Sequence, residues 1–82
     1  MSLDEFLIKP LDWRAHFVSL QGVFLATRSG YKFDFSLYYV ADFFVEIWYT
    51  KGSQEVGLIR GFTETACLTT YLDEINLSDI RI

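Results

Sequence analysis

The sequence predicts a small α+β domain in which helices cover one face of a four-stranded antiparallel sheet. Residues 23–62 contain four runs rich in β-branched and aromatic side chains, separated by turn residues, as in a meander of short strands. The segments on either side carry apolar residues at helical spacing. The expected order is ααββββα, with the N-terminal helices and a C-terminal helix packed on one face. We assign residues 1–82 to one small α+β domain.

The first helix has a capping signal at its start. Ser2 is followed three residues later by Glu5, which matches a capping box and predicts a short helix to about Ile8. Pro10 then ends this helix, because the residue before a proline disfavours helical backbone angles.

The second helix is expected from Pro10 or Leu11 to Gln21, since proline is well placed at the first position of a helix. Its apolar stripe consists of Trp13, Phe17 and Leu20. Gly22 is expected to end the helix in a left-handed conformation. The alternative is a further strand over residues 14–20, because two of its residues also favour sheets.

Three short connections set the expected register of the sheet. They are two-residue loops at residues 29–30 and 52–53 and a three-residue connection at residues 40–42. The pairs that follow from them include Arg28 with Tyr31, Tyr39 with Phe43, Lys51 with Gln54, and Tyr49 with Val56. In this register one face collects most of the apolar side chains: Phe24, Ala26, Phe33, Phe35, Leu37, Tyr39, Phe43, Val45, Ile47, Tyr49, Val56, Leu58 and Phe62.

The opposite, outer face of the predicted sheet is partly apolar as well. Among polar neighbours it carries Leu25, Tyr38, Phe44, Trp48 and Ile59. This is more exposed apolar area than a small monomer usually carries in one place, which indicates a contact surface. The alternative is that the first helix, the C-terminal tail or curling of the sheet covers this face, or that the register differs.

A closing helix is expected from Thr63 or Glu64 to Ile75. Its apolar stripe consists of Leu68, Tyr71, Leu72 and Ile75, and Asn76 is suited to the left-handed position after its end.

Composition bounds the partners and the compartment. The net charge of −4 repels nucleic-acid phosphates and anionic lipids, so we expect neither nucleic acid nor a membrane as partner. The longest apolar stretch, residues 17–26, falls short of the ~20 residues that a membrane-spanning helix needs. The single cysteine, Cys67, cannot form an internal disulfide, and Asp4 and Glu5 stand where a signal peptide is basic. We therefore expect a soluble, cytoplasmic protein.

Residues that could carry chemistry do not form a recognisable site. His16 and Cys67 are each the only residue of their type, and nothing in their spacing places them together. One histidine and one cysteine do not make a zinc pattern. Asp34 and Glu46 are expected to keep the outer face soluble, and the five glycines form no phosphate-binding loop. We predict no catalytic residue, no cofactor and no metal.

The expected function is a non-enzymatic, cytoplasmic protein-interaction domain. It is expected to form a homo-oligomer, or to bind another protein, through the outer face, and its acidic surface favours a basic protein if the partner differs. The alternative is a small-molecule-binding or catalytic domain whose pocket lies between helices and sheet. That pocket is expected to be lined by Trp13, Tyr39 and Tyr49.

Overall fold

A computed structural model describes residues 1–64, and the predicted closing helix lies outside them apart from its first two positions. The described elements are two helices, α1 (Leu3–Leu7) and α2 (Leu11–Gln21), and four strands, β1 (Val23–Ser29), β2 (Phe33–Val40), β3 (Phe43–Thr50) and β4 (Val56–Phe62). The strands form one antiparallel sheet in the order β1-β2-β3-β4. The predicted α+β class and the four-stranded meander are confirmed.

Both helices begin where the sequence predicts. The Ser2 hydroxyl accepts a hydrogen bond from the Glu5 backbone N–H (3.2 Å), and the Glu5 carboxylate accepts from the Ser2 backbone N–H (3.3 Å). This reciprocal capping box satisfies two donors at the start of α1. Pro10 is the cap of α2, which makes no side-chain capping bond.

The buried side of α2 differs from the predicted stripe. Val18 is fully buried, whereas Trp13 and Leu20 are 36% and 66% exposed. The predicted core-facing stripe is confirmed at Phe17, which packs against Phe6 of α1, and is wrong at Trp13 and Leu20. Apolar residues lie on more than one side of α2, so the pattern alone does not select the face that meets the sheet.

Gly22 ends α2 with extended backbone angles (φ −80°, ψ 149°), so the predicted left-handed end is wrong. Its N–H donates to the Val18 carbonyl at 2.8 Å, and a Cβ at this position would lie 2.6 Å from the same oxygen. Glycine is needed here for close approach of the backbone, which lets the chain pass directly from α2 into β1.

The connection between β2 and β3 has two residues, because Val40 pairs with Phe43. Ala41, the first of the two, has a left-handed φ of 56°. The predicted three-residue connection is wrong by one residue, and a shift of one residue moves every side chain of a strand to the other face. Odd-numbered residues of β2 therefore share a face with even-numbered residues of β3.

The β1–β2 connection is longer than predicted. Ser29 pairs with Asp34, and the Gly30 N–H donates to the Phe33 carbonyl at 2.8 Å, so Arg28 does not pair with Tyr31. The residue of β2 that pairs with a given residue of β1 therefore lies four positions later in the sequence than predicted. Because four is an even number, Ala26 still shares a face with the odd-numbered residues of β2. A bulge at Leu25 then places Phe24 on the opposite face, beside Tyr38.

The β3–β4 hairpin is predicted correctly only next to its loop. Tyr49 pairs with Val56 as expected, but the loop spans residues 51–55 and the expected pair of Lys51 with Gln54 is absent from the described ladder. A bulge at Gly57 then pairs Trp48 with Leu58 and Ile47 with Ile59.

The corrected register gives the sheet two apolar faces. We call the first the helix face, because Phe6 of α1 and Val18 of α2 pack there on Val40, Phe43, Val45, Ile47 and Ile59. We call the second the aromatic face; it consists of Ala26, Phe35, Leu37, Phe44 and Phe62, with Leu25, Phe33, Tyr39 and Trp48 packed against them.

Candidate functional site

The five residues predicted to form one contact surface lie on two faces. Leu25, Phe44 and Trp48 belong to the aromatic face. Tyr38 and Ile59 belong to the helix face, where Ile59 is 1% exposed. The expectation that all five share a surface is wrong for two reasons: the two-residue β2–β3 turn moves Tyr38 to the helix face, and the bulge at Gly57 moves Ile59 there.

The aromatic face is a packed layer of rings. Phe44 stacks on Phe62 with centroids 5.8 Å apart, and Phe35 meets Trp48 edge to face at 4.9 Å. Phe44 is 1% exposed and Leu37 is fully buried. Most of this face is therefore inaccessible to a partner.

Charged groups on the aromatic face are held in place by contacts. The indole N–H of Trp48 donates to the carboxylate of Glu46 at 2.7 Å, and Glu46 is only 5% exposed. The Arg60 Nε lies 3.9 Å from the same carboxylate, and the Arg28 guanidinium lies 4.0 Å from the centre of the Phe35 ring. Glu46 thus acts as a buried acceptor, and the prediction that it faces solvent is wrong.

Exposed apolar side chains concentrate where α2 enters β1. Leu20, Val23 and Phe24 are 66%, 60% and 55% exposed. They flank Gly22, whose tight backbone approach brings the end of α2 directly to the sheet. We call these three residues the corner patch.

Val23 pairs with Tyr39 of the aromatic face and Phe24 with Tyr38 of the helix face, so the exposed apolar residues lie on both sides of the start of β1. Exposed apolar residues gathered at one edge of a small domain are typical of a contact surface.

Two residues of the corner patch, Val23 and Phe24, begin an edge strand. β1 is the first strand of the sheet order, so among residues 1–64 only β2 pairs with it. Arg28 is its only charged residue, and its one irregularity is the bulge at Leu25. Charged side chains and bulges are the usual protection of an edge against pairing, and β1 carries little of either.

The other edge strand, β4, is better protected. The guanidinium of Arg14 donates to the Ile59 carbonyl at 2.8 Å, and Leu3 of α1 lies against Gly61. Each edge strand carries one arginine and one bulge, so the difference between the edges lies in these contacts from α2 and α1. The contrast between the two edges indicates β1 as the edge that is open to a partner.

A second set of exposed apolar residues lies at the opposite end of α2. Ile8 is 80% exposed and Leu11 is 37% exposed, while the Trp13 ring is shielded on two sides. Trp13 stacks on Phe17 at 5.1 Å, and the Lys9 ammonium lies 5.1 Å from the Trp13 ring centre. The Lys9 ammonium lies between Ile8 and Leu11 in the sequence, so a positive charge separates the exposed apolar residues of this set.

The pocket expected between helices and sheet does not form from the predicted residues. Trp13 packs on α2, Tyr39 belongs to the aromatic face and Tyr49 packs against the helix-face core. A cleft of about 540 Å³ lies instead near the β1–β2 and β3–β4 loops, lined by residues that include Thr27, Ser29, Asp34, Ser36, Tyr49 and Gln54.

The acidic group of this cleft is already engaged. The Ser29 hydroxyl donates to Asp34 at 2.9 Å, and the Lys51 ammonium lies 3.3 Å from the same carboxylate. The Ser29 bond chiefly, with Lys51 and Gln54, lowers the pKa of Asp34 below its ordinary value. An ionised carboxylate with three donors is suited to joining the two hairpin loops, and not to accepting a proton near neutral pH.

Tyr38 is the other group with a shifted pKa near the cleft. Burial raises the pKa of its phenol, and the neighbouring Tyr49 raises it further. Tyr38 therefore stays neutral at physiological pH and acts as a packing and hydrogen-bonding group beneath Phe24.

The residues considered for chemistry remain apart. His16 is exposed on α2, and Cys67 lies beyond the described range. Within residues 1–64, no cluster of three or more His, Cys, Asp or Glu side chains could hold a metal ion. Among the same residues, no helix is long and apolar enough to cross a membrane.

Comparisons with protein-family models, with curated proteins and with solved structures find no match to this chain.

Proposed function

We propose that this chain is a protein-interaction domain that self-associates through the corner patch and the adjoining edge of β1. The observation that carries the proposal is that Leu20, Val23 and Phe24 are each more than half exposed. They lie beside the outer edge of β1, which no element of residues 1–64 pairs. The contact surface thus moves from the predicted outer sheet face to the edge of the sheet.

The free energy expected from burying the corner patch is sufficient for a weak, reversible dimer. Full burial of a Leu, Val or Phe side chain contributes roughly 1.5–3 kcal/mol, so the exposed parts of six such side chains in a dimer contribute on the order of 6–12 kcal/mol. Association costs an estimated 4–15 kcal/mol in lost freedom of the partners. Hydrogen bonds along β1 add to the balance. We expect dissociation constants in the micromolar range or weaker.

A second copy is the partner that fits this edge best. A twofold axis pairs the same strand with itself, and two strands related in this way run antiparallel. In that arrangement Arg28 of each copy lies at opposite ends of the ribbon, so the only charge of β1 meets no like charge. Val23 and Phe24 of each copy then pack against the second half of the partner strand.

The remaining parts of the functional prediction stay proposals. A cytoplasmic location rests on the single cysteine of the sequence, which cannot form an internal disulfide. The helix from Thr63 or Glu64 to Ile75 rests on its apolar spacing. Of the three residues predicted to line a pocket, Tyr49 lines the observed cleft and Trp13 and Tyr39 do not, and the Asp34 carboxylate there is engaged, so we favour self-association over the small-molecule alternative.

The proposal is tested by light scattering coupled to size-exclusion chromatography over a range of loading concentrations. We expect the wild-type mass to rise from that of one chain toward that of two. Leu20→Lys places a charge in the corner patch, at the end of a helix where a positive charge is tolerated, and is expected to keep the chain monomeric.

Ile8→Lys is the matched control, because Ile8 is also an exposed apolar residue at a helix end but lies outside the corner patch. It is expected to associate as the wild type does. A wild-type chain that stays monomeric at millimolar concentration contradicts self-association. Equal effects of the two lysine variants contradict the assignment to the corner patch.

A further inference from the structure

Backbone hydrogen bonds in the sheet determine which residues of β1 face the open edge. Just before β2 begins, the Lys51 N–H donates to the Lys32 carbonyl at 3.2 Å, so even-numbered residues of β2 direct their backbone groups toward β3. Odd-numbered residues of β2 direct theirs toward β1, in agreement with the bond from the Gly30 N–H to the Phe33 carbonyl at 2.8 Å. The residues of β1 that pair with even-numbered residues of β2 therefore point their own backbone groups away from the sheet: Phe24, Thr27 and Ser29.

The same three residues of β1 place their side chains on one face. They pair with Tyr38, Ser36 and Asp34, and Tyr38 packs against the helix-face core. Ser36 and Asp34 lie on the helix face too, because every second residue of a strand shares a face. Ala26 and Leu25, the extra residue of the bulge, lie on the aromatic face. The open edge of β1 therefore offers its hydrogen-bonding groups at helix-face positions.

These two properties restrict how β1 can pair with its own copy. A twofold axis perpendicular to a continuous sheet keeps each face on its own side, so helix-face residues meet helix-face residues. If the two residues at the bulge count as one position, two registers of equal overlap meet this condition. In the first, Phe24 lies opposite Thr27 of the second copy, and the two bulges meet on the axis. In the second, Thr27 meets its own copy and Phe24 lies opposite Ser29.

Side-chain chemistry favours the first register. There the apolar pair Leu25 and Ala26 packs against its own copy across the axis, and the Phe24 ring lies against the methyl group of Thr27. In the second register Arg28 lies opposite the apolar bulge. The two Arg28 side chains then become diagonal neighbours on the aromatic face, where like charges repel.

We propose that two copies join their sheets through β1 in the first register, with Phe24 of each copy opposite Thr27 of the other. The proposal rests on self-association through the corner patch and specifies the residue pairs of that contact. Both Phe24–Thr27 pairs exchange two backbone N–H···O bonds, since these residues point their backbone groups outward. Because Thr27 also lines the cleft, the Phe24 ring of one copy lies at the rim of the other copy's cleft.

Disulfide trapping in the full-length chain tests the register. Cysteines are introduced one at a time into the variant Cys67→Ala, which removes the single cysteine of the sequence. The first register brings two pairs of Cα atoms within the roughly 4.4–6.8 Å that a disulfide spans, Phe24 with Thr27 and Val23 with Arg28. In the same register the two copies of Thr27 are diagonal neighbours, about 7–8 Å apart, which is too far for a disulfide.

We expect both mixtures of single-cysteine chains to form linked heterodimers in glutathione buffer: Phe24→Cys with Thr27→Cys, and Val23→Cys with Arg28→Cys. The second mixture leaves Phe24 in place and tests the register independently of the first. Isotope labelling of one chain in each mixture distinguishes heterodimers from homodimers by mass. Thr27→Cys alone is expected to link no faster than Ile8→Cys, an exposed control outside the corner patch.

Linked homodimers of Thr27→Cys, or rapid linking of Phe24→Cys to Ser29→Cys, would overturn the register and leave self-association intact. Linking of both mixtures only at the rate of Ile8→Cys, when light scattering shows that the chain without new cysteines is dimeric, overturns pairing through β1. A chain that stays monomeric in the same light-scattering measurement overturns self-association and the register together.

Discussion

Val40 pairs directly with Phe43, so the turn between β2 and β3 contains only Ala41 and Asp42. This pair decides which side chains share a face: Phe35 and Leu37 join Phe44, whereas Val40 joins Phe43 and Val45. Two-residue hairpin turns need a positive φ at one or both central residues, and Ala41 adopts one of 56°. An alanine in this region is strained by its Cβ.

We therefore expect Ala41→Gly to stabilise the protein by about 0.5–1 kcal/mol, since glycine adopts a positive φ without strain. For a chain of this size, the change corresponds to a rise in Tm of a few degrees. Gly52 provides the converse control, because its φ is 93° and a Cβ there would meet no atom within 4 Å. Gly52→Ala is expected to lower Tm through backbone strain alone, and a rise in Tm with Gly52→Ala contradicts this account of the turns.

The contact between Glu46 and Trp48 predicts a specific loss of stability. Glu46→Ala removes the acceptor of the Trp48 indole N–H and the carboxylate beside Arg60, and hydrogen bonds to charged groups contribute roughly 1.5–3 kcal/mol. We expect a loss of about 2 kcal/mol in the free energy of unfolding, measured with urea. Glu46→Gln keeps an oxygen acceptor and should lose less; equal losses in the two variants contradict a role for that acceptor.

The contact between Ser29 and Asp34 predicts a dependence on pH. The Ser29 hydroxyl is the main reason that the pKa of folded Asp34 lies below its ordinary value of 3.8. A lowered folded pKa means that the ionised carboxylate contributes stability above the unfolded pKa, and that this contribution is lost as the pH falls through the folded pKa.

We expect Ser29→Ala to raise the pKa of Asp34 toward 3.8, measured by nuclear magnetic resonance titration of its carboxyl carbon. Ser36→Ala is the control, because Ser36 lines the same cleft and forms no hydrogen bond with Asp34 among residues 1–64. An unchanged titration in the Ser29 variant contradicts the assigned cause.

The salt dependence of the dimer's dissociation constant tests whether the contact between the two copies is apolar. Two copies of a chain with net charge −4 repel each other, and added salt screens that repulsion. We therefore expect sodium chloride between 0.05 and 0.5 M, a range of roughly 14 to 4 Å in Debye length, to strengthen the dimer measured by sedimentation velocity. Weakening of the dimer over this range contradicts an apolar contact between like-charged copies.

The helices and the presence of four strands could be predicted because their signals are local. The capping box at Ser2, the break at Pro10 and the glycine after Gln21 each act within a few residues. The pair of Tyr49 with Val56 was likewise predictable from its short distance to the loop.

The register beyond the loops could not be predicted from alternation. In β3, Phe43, Val45 and Ile47 are apolar, and so are Phe44 and Trp48 on the other side of the strand, so either register buries an apolar set. The bulge at Leu25 adds a residue to β1, and the bulge at Gly57 adds one to β4. Neither has a decisive sequence signal, because a glycine in a strand only weakly indicates a bulge. The predicted contact surface depends on the register, so the two-residue β2–β3 turn and the bulge at Gly57 make the prediction wrong for Tyr38 and Ile59.

The corner patch was missed for a related reason. Helical spacing with Trp13 and Phe17 places Leu20 in the predicted core. Phe24 lies on the helix-covered face, as the prediction requires, but at the start of an edge strand, where it is 55% exposed. The signal that could have found the patch is the excess of apolar residues around α2, which exceeds what a single core-facing stripe can bury.

The most direct test of self-association through the corner patch is a dilution series of amide spectra by nuclear magnetic resonance. We predict that concentration-dependent shifts concentrate in residues 20–29 and disappear in the Leu20→Lys variant, while the amides near Trp48 and Leu58 stay constant. Shifts centred on Trp48 and Leu58, or no shifts at any concentration, would contradict the account.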